Sequence, residues 1–435
     1  MASITISMEL AMTYRNLVAP DGGWVAPEIF SDQALYDLER QRIFGRSWLW
    51  LGHECQLPQP GSFLRTLMGD ESVIVTRNRD GAVSAFLNAC RHRGFEVCQE
   101  DRGVAHRFQC RYHGWTYGAD GALIGVPGEE TLYFRELDKR AWGLIPVARV
   151  ETYKGLIFGN FDLDAPSLID DLGDMAWYLD ILLDRRAGGV VVLGPQRWRI
   201  AANWKVVAEN HIGDEYHIGY AHGSMFPPDL GAARPAPLPF AREIRPAPGH
   251  GFGVDIYPDQ ATPRDWLSNG PLAMAPAHVT DYLLEIHEET AQRLGDQRAR
   301  MAPIHGTVFP TLGMVPFFNT FRAIHPRGPR EVEIWSYCVV DRDAPEPVKR
   351  WLADYSARAF GPAGGFEQDD AGNWTAVTRS SLGEQARRHR LNFQMGLGHE
   401  TRSDRYPGEV GLTASEINQR GFYLRWAREM FGVAA

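Results

Sequence analysis

The sequence predicts an α+β fold in which an all-β module is inserted into a larger α+β domain. Its 435 residues exceed the size of one ordinary hydrophobic core, so two domains are expected. From residue 47 to about residue 165, short runs rich in β-branched and aromatic residues are separated by turns. Beyond this module, runs with helical periodicity alternate with strand-like runs. We therefore assign residues 47–165 to the β module and residues 1–46 and 166–435 to the α+β domain.

The β module is preceded by a predicted helix with Ser31 as its N-cap and Gly45 as its terminator. Within the module, strands are expected wherever β-branched and aromatic residues cluster between turn signals such as Asn-Arg-Asp-Gly. These runs are residues 62–67, 71–77, 81–88, 107–112, 116–118 and 123–126.

The α+β domain shows apolar residues at steps of three and four, which predict amphipathic helices. The helical segments are residues 167–183, 203–217, 281–301, 347–360 and 414–431, and the strand-like runs are residues 306–315 and 331–340. A stretch rich in Pro and Gly, residues 223–265, is expected to form a long lid or surface loop.

The composition excludes several classes of protein. A net charge of -9 leaves no basic stripe that could neutralise the phosphates of a nucleic acid. No apolar run reaches the roughly 18 residues needed to cross a bilayer, and the N-terminus has no basic region of the kind found in signal peptides. Five scattered cysteines do not form a disulfide framework. These features favour a cytoplasmic enzyme without membrane or nucleic-acid partners.

Two short motifs in the β module carry potential metal ligands. CRHRG contains Cys90 and His92, and CRYHGW contains Cys110 and His113. Structural zinc is one interpretation, but zinc sites usually take their cysteines from one side and their histidines from the other. Here each loop supplies one Cys and one His, as in a Rieske [2Fe-2S] cluster, where one iron takes two thiolates and the other two imidazoles. We predict a Rieske cluster.

A second group of titratable residues lies in NHIGDEYHIGYAH, residues 210–222. Asn210, Asp214 and His217 share a helix face, but His217 and His222 would point about 140° apart in a continuous helix. They converge only if the helix bulges or ends between them. An electron-transfer cluster followed by about 270 further residues needs an acceptor, and two His with one carboxylate form the facial triad of non-haem Fe(II) oxygenases.

The third ligand of this iron is not determined by the residues alone. The chain has 54 acidic residues, and the carboxylate need not be close in sequence. Asp369 and Asp370 are attractive because they stand together in a Gly-rich segment expected to be a loop. Solvated loop acids or a helix N-cap are the alternative interpretation.

The motifs together resemble the large (alpha) subunit of Rieske non-haem iron aromatic-ring-hydroxylating dioxygenases, the naphthalene and biphenyl dioxygenase group. The matching segments, in order, are CRHRG, CRYHGWTYG, NWKVVAENHIGDEYHIGYAH, TVFPTLG, FGPAGGFEQDD, RYPGEVG and NQRGFY. The resemblance implies an α+β catalytic domain with a helix-surrounded antiparallel sheet. It implies that the cluster is held by Cys90, His92, Cys110 and His113, and Fe(II) by His217, His222 and Asp370.

The resemblance also implies how electrons reach the iron. Asp214, with Asn210 beside it, matches an acid that links the cluster of a neighbouring subunit to an iron-ligating histidine. A ring of three alpha chains, usually with three small beta subunits (α3β3), follows from that role. Electrons would come from NADH through a ferredoxin and/or reductase. The reductase is expected to be a separate protein, because this sequence has no dinucleotide-binding fingerprint.

The expected reaction adds both atoms of O2 to an aromatic ring and gives a cis-dihydrodiol. A polycyclic or biphenyl-like hydrocarbon is the first expectation for the substrate. His211 stands where hydrocarbon-oxidising relatives generally carry Phe, so an aromatic carboxylate bound by this side chain is the alternative substrate. Monooxygenation and a role as a Rieske electron carrier are further alternatives. The residues expected to line the substrate cavity are His211, Ile218, Leu312, Phe360 and Phe366.

Overall fold

The computed structural model describes residues 17–225, 241–257, 261–264 and 275–432. The chain divides into two compact units. One unit is Phe44–Leu168, and the other consists of the described residues on either side of it. The β module predicted at residues 47–165 lies inside the first of these units. Among the described residues, no helix combines the length and hydropathy needed to span a bilayer.

The inserted unit is built from short antiparallel strands, as the sequence predicted. The strands are β2 (Leu49–His53), β3 (Ser62–Met68), β4 (Glu71–Arg77), β5 (Val83–Leu87), β6 (Arg102–Val104), β7 (Arg107–Gln109), β8 (Thr116–Gly118), β9 (Leu123–Gly125), β10 (Arg149–Tyr153) and β11 (Leu156–Asn160). One sheet has the order β5-β4-β3-β6. The other two have the orders β7-β8-β9 and β10-β11-β2.

The second unit is organised around one antiparallel sheet, whose order within the described residues is β12-β18-β17-β16-β15-β14-β13-β21-β20. A separate short pair joins β1 (Trp24–Val25) to β19 (Leu391–Asn392). The large sheet comprises β12 (Val190–Ile200), β13 (Ala241–Arg245), β14 (Gly251–Ile256), β15 (Met301–Val308), β16 (Leu312–Val315), β17 (Thr320–Gly328), β18 (Glu331–Asp341), β20 (Thr401–Ser403) and β21 (Tyr406–Leu412).

Helices cover this sheet and carry most of the residues discussed below. Helix α4 packs against β14 to β17, α9 against β18, and α11 against β13, β14 and α4. The helices are α1 (Gln33–Arg42), α2 (Leu168–Leu172), α3 (Met175–Leu183), α4 (Trp204–Gly213), α5 (Glu215–Ala221), α6 (Ala277–Glu285), α7 (His287–Leu294), α8 (Asp296–Ala299), α9 (Glu346–Phe360), α10 (Gly365–Ser380) and α11 (Ile417–Phe431).

The ends of helix α1 differ from the prediction. The N-cap is Asp32, whose carboxylate accepts the N–H of Leu35 over 3.0 Å. Ser31 lies one position before the cap, where its hydroxyl donates to the carbonyl of Ser381 and accepts a hydrogen bond from Arg387. The helix also stops at Arg42, before the predicted terminator Gly45.

The predicted lid at residues 223–265 is wrong for its central part. Residues 241–245 and 251–256 are strands β13 and β14 of the large sheet, and the Pro- and Gly-rich residues 246–250 form the turn between them. The two strands pair with each other and, on their outer sides, with the distant strands β21 and β15, which the local composition did not reveal. Residues 226–240, 258–260 and 265 of this stretch lie outside the described residues.

A buried charged cluster ties α1 to α4 and α11. The carboxylate of Glu39 accepts hydrogen bonds from Lys205 Nζ at 2.5 Å and from the indole nitrogens of Trp204 and Trp426 at 2.8 Å. The side chains of Glu39 and Lys205 are each 1% exposed. Because water does not solvate either charge, each depends on the other for its compensation.

We expect Glu39→Gln to lower the free energy of unfolding of the second unit by about 3–5 kcal/mol, because it leaves the Lys205 ammonium buried without a counter-ion. Urea unfolding followed by tryptophan fluorescence measures the change. Glu346→Gln is the matched control, since Glu346 pairs with Lys349 at the surface and is 73% exposed. The control should shift stability by less than about 0.5 kcal/mol. Equal effects of the two variants would contradict this account of the cluster.

Candidate metal centres and active-site cavity

Two loops of the inserted unit have the same backbone geometry and carry the predicted cluster ligands. In each loop the cysteine N–H donates to the carbonyl five residues later, and the glycine N–H donates back to the cysteine carbonyl, over 2.8–2.9 Å. Gly94 and Gly114 take φ values of 75° and 76°, which favour glycine. Cys90 and Cys110 therefore begin two equivalent turns.

The four side chains fit a [2Fe-2S] cluster with two thiolates and two imidazoles. Cys90 and Cys110 are buried free thiols, while His92 and His113 are half-buried with ring centroids 4.5 Å apart. His92 Nδ1 is buried and has no hydrogen-bond partner. Burial is the main cause that raises the pKa of the Cys110 thiol, so the thiolate form requires a bound metal. The donor set and the unpartnered nitrogen both suit iron ligation.

Aromatic side chains support this site. Trp115 stacks on the His92 ring with centroids 5.2 Å apart and planes 9° apart. The hydroxyl of Tyr117 lies 3.3 Å from Cys90 Sγ and accepts the N–H of Arg91 over 3.0 Å. The stacking fixes the His92 ring, and the Tyr117 hydroxyl lies beside Cys90 Sγ. A hydrogen bond to that sulfur would change the reduction potential of a bound cluster.

The predicted helix over residues 203–217 is interrupted before His217 and His222, and the helix that follows ends between them. Helix α4 ends at Gly213, and Asp214 leaves helical geometry with φ -97° and ψ 66°. Asp214 then caps α5 by accepting the N–H of His217 over 3.3 Å. Helix α5 ends at Ala221, so His222 is free to turn. The Nε2 atoms of the two histidines lie 3.1 Å apart.

The carboxylate that joins them comes from helix α10. Asp370 Oδ1 lies 3.3 Å from His217 Nε2 and 3.2 Å from His222 Nε2. Asp369 instead contacts the other nitrogen of His222, Nδ1, at 3.1 Å. Both acids lie within α10 rather than in the predicted loop, because the Gly-rich segment ends at the first turn of this helix. Asp370 therefore faces the Nε2 atoms of both histidines, whereas Asp369 orients the His222 imidazole.

The electrostatics of this triad suit a cation. Burial raises the pKa of Asp370, but His217 and His222 outweigh it and hold the pKa below the usual range. Burial lowers the pKa of His217, whereas the carboxylates of Asp214 and Asp370 raise it well above the ordinary value. Asp370 Oδ1 is buried without a hydrogen-bond partner. A metal ion in the triad would satisfy the oxygen and balance the carboxylate. Two histidines and one carboxylate fit Fe(II).

Asp214 and Asn210 lie beside the triad. Asp214 Oδ2 is 3.3 Å from His217 Nδ1, and Asn210 Nδ2 donates to the same carboxylate over 3.3 Å. Burial raises the pKa of Asp214, but its contacts with His217 and Asn210 outweigh it and keep the pKa below the usual value. The side chain remains 31% exposed. Asp214 is therefore an ionised group that orients His217 and is open to a further partner.

A cavity of about 310 Å³ opens onto the triad. Among the predicted lining residues, His211, Ile218, Phe360 and Phe366 face it, and Leu312 does not. Leu312 lies three positions before Val315 on β16, so the two side chains point to opposite faces of the strand, and Val315 faces the cavity. The lining residues that sequence reasoning missed are Glu215, Asp255, Ile304, His305, Val315, Phe317 and Phe318.

His211 does not offer a positive charge to a substrate. Its Nδ1 lies 2.8 Å from the carbonyl of Val207, and its Nε2 lies 3.2 Å from Arg322 Nη1. Burial, with a contribution from Arg322, lowers the pKa of His211 to about 3. The neutral ring therefore donates at Nδ1 and accepts at Nε2. The interpretation of His211 as a cationic carboxylate-binding group is wrong, because both nitrogens already have protein partners.

Comparisons with known proteins agree with this geometry. Residues 47–153 match the model of the Rieske [2Fe-2S] domain, and residues 171–431 match that of the ring hydroxylating alpha subunit (catalytic domain). Biphenyl dioxygenase subunit alpha of Paraburkholderia xenovorans is 40% identical over 96% of this chain and 93% of the relative. Benzene 1,2-dioxygenase subunit alpha of Pseudomonas putida is 42% identical over 95% of this chain and 93% of the relative.

A solved structure extends the agreement to the whole fold. Naphthalene 1,2-dioxygenase from Rhodococcus sp., bound to indole, superposes with a TM-score of 0.86 at 37% identity, over 99% of this chain and 100% of that chain. The two domain models cover most of the present chain. The chain therefore belongs to the ring-hydroxylating dioxygenase alpha subunits, enzymes of the Rieske non-haem iron class that use a [2Fe-2S] cluster, a mononuclear iron and O2.

Proposed function

We propose that this subunit adds both atoms of O2 to the ring of an aromatic hydrocarbon and forms a cis-dihydrodiol. The observation that carries the proposal is the opening of the triad His217, His222 and Asp370 onto a cavity with an aromatic wall. When bound, the cluster supplies single electrons and the iron activates O2. Relatives that are about 40% identical are named for biphenyl and benzene.

The cavity wall supports a flat apolar substrate. Phe318 packs against Phe360 and Phe366 with ring centroids 5.1 Å apart in each pair, and Phe366 lies 4.9 Å from the His222 ring. These rings exclude water and would hold an aromatic substrate beside the triad. An aromatic carboxylate would instead meet Glu215 and Asp255 at the same cavity, and His211 cannot bind it. These contacts favour a hydrocarbon over the aromatic-acid alternative.

The proposal includes partners that supply electrons and complete the assembly. Members of this family are alpha subunits of multi-component oxygenases. We propose an α3β3 assembly that receives electrons originating from NADH through a separate ferredoxin and/or reductase, in the cytoplasm, where NADH is available. Within it, Asp214 would connect His217 to a cluster histidine of a neighbouring chain. Its ionised, partly exposed carboxylate supports this role.

Labelled oxygen tests the reaction itself. The reconstituted system with biphenyl, naphthalene or benzene and ¹⁸O2 should release a cis-dihydrodiol that carries two ¹⁸O atoms, detected by mass spectrometry. Phthalate serves as the aromatic-acid comparison and should be turned over poorly. A product with one labelled atom would identify a monooxygenase, and turnover confined to the acid would reverse the substrate assignment.

Ligand variants should separate the two metals. His222→Ala should lose the mononuclear iron and keep the visible spectrum of the cluster, because its Nε2 lies among the triad atoms and its other contacts are with Asp369 and Phe366 beside the triad. His113→Ala should lose the cluster spectrum, since one iron would have a single imidazole left. Iron analysis should fall from about three to about two irons per chain for His222→Ala. Loss of both signals in His222→Ala would contradict separate sites.

The role of Asp214 makes a different prediction. Asp214→Ala should retain both metals but lower turnover by about 10- to 100-fold or more, because His217 loses its orienting carboxylate and the proposed link is cut. Stopped-flow oxidation of the reduced cluster by O2 and substrate should slow in parallel. Asp354→Ala, on an exposed position of α9, is the control and should react normally. Normal cluster oxidation in Asp214→Ala would refute the electron-transfer role.

A further inference from the structure

A second group of potential ligands stands on the large sheet, outside the triad. Glu243 of β13, Gly253 of β14 and His305 of β15 are direct cross-strand neighbours in one row. Gly253 leaves the centre of the row open, since a Cβ there would lie 2.0 Å from His305 Cε1. The side chains of Glu243 and His305 therefore meet above the glycine.

Glu215 reaches the same point from the first turn of α5. Its Oε1 lies 3.1 Å from His305 Nε2, and Glu243 Oε1 lies 3.2 Å from the same nitrogen. His305 is 6% exposed and Glu243 is fully buried. Despite these short separations, both carboxylate oxygens and both ring nitrogens of His305 lack a partner with hydrogen-bond geometry. Buried polar atoms in this state require another partner.

The iron triad shows the same two features. Its ligand atoms are separated by 3.1–3.3 Å, and Asp370 Oδ1 is likewise buried and unpartnered. Atoms that lie about 2.1 Å from a shared ion are roughly 3–3.5 Å apart. In each group the candidate ligand atoms all lie within 4.8 Å of one another. The second group thus has the ligand spacing of a metal site.

Surrounding residues hold the second group in place. Asn418 Nδ2 donates to Glu243 Oε2 over 2.7 Å and to the carbonyl of Ile212 over 3.0 Å, which leaves Glu243 Oε1 directed at His305. Asp255, on the same strand as Gly253, adds a further buried oxygen without a partner. Such support is typical of metal ligands.

We propose that Glu215, Glu243 and His305 bind a second divalent first-row transition-metal ion, separate from the mononuclear iron. Two carboxylates and one imidazole match the ligand preferences of Mn²⁺, Fe²⁺ and Zn²⁺. Glu215 and His305 also line the cavity, so the ion would lie at its wall.

Manganese is a suitable probe because its pulsed EPR spectrum reports bound imidazole nitrogen. The full-length chain, loaded with its cluster and Fe(II), is incubated anaerobically with Mn²⁺, desalted and analysed for metals. We expect about one Mn per chain with the iron content unchanged, and coupling to one histidine nitrogen. Two coupled nitrogens with loss of iron would mean that Mn²⁺ had entered the triad, and would overturn the proposal.

Variants test the assignment residue by residue. Glu243→Gln and His305→Gln should weaken Mn²⁺ binding at least about tenfold and leave the cluster and the mononuclear iron in place. His325→Gln is the control, because His325 is equally buried but packs against Trp335. If the variants do not fold, the wild-type measurement decides alone. No retained Mn²⁺, or retention unaffected by both variants, would refute the site, and neither result depends on the proposed dioxygenation.

Discussion

The arrangement around the iron triad depends on Arg322, a fully buried residue of β17. Its guanidinium binds Glu367 of α10 at 2.5 Å, the carbonyl of Phe360 at 2.8 Å and His211 of α4 at 3.2 Å. Glu367 stands one helical turn before Asp370, so the ion pair fixes the helix that carries the carboxylate ligand. One side chain thus links helix α4, the helix that carries the carboxylate ligand and the start of the aromatic wall. This also explains why position 211 is histidine: its ring accepts a hydrogen bond from Arg322.

The second constraint is the end of helix α5 at Ala221, which lies between His217 and His222. In a continuous helix the two rings would point about 140° apart, and no rotamer change would join them. Asp214 ends one helix and caps the next with the same carboxylate that contacts His217. The residue that shapes the backbone therefore also orients the ligand. A substitution of Asp214 would therefore change both the N-cap of helix α5 and the orientation of His217.

Features set by neighbouring residues were predictable from the sequence, whereas those set by distant residues were not. The cluster ligands lie in two short loops whose spacing and glycines define the geometry, and the β runs around them became strands. The helix was expected to bulge or end between His217 and His222, and helix α5 does end at Ala221. The break at Asp214 lies before both histidines and differs from the predicted helix over residues 203–217. Leu312 was misplaced because the side of a strand that faces a cavity depends on its tertiary partners. Strands β13 and β14 were missed because the Pro- and Gly-rich composition of their stretch indicated a loop. They pair with each other across residues 246–250, and their other partners, β21 and β15, are remote in sequence.

Acidic side chains near the cavity favour a bound cation, and no Lys or Arg among the described residues lines it. Arg322 is already paired with Glu367, so it does not compensate the other acids near the cavity. Asp370 and Glu243 are buried, and Asp214, Glu215 and Asp255 are partly buried. The neighbouring aromatic wall excludes water and strengthens every interaction between charges. Buried carboxyls in such surroundings are stabilised by protonation or by a cation, and burial raises the pKa of Glu243 and Asp255. Asp370 instead keeps a lowered pKa, so a metal ion held by the triad would contribute its binding energy to the folding of the catalytic unit.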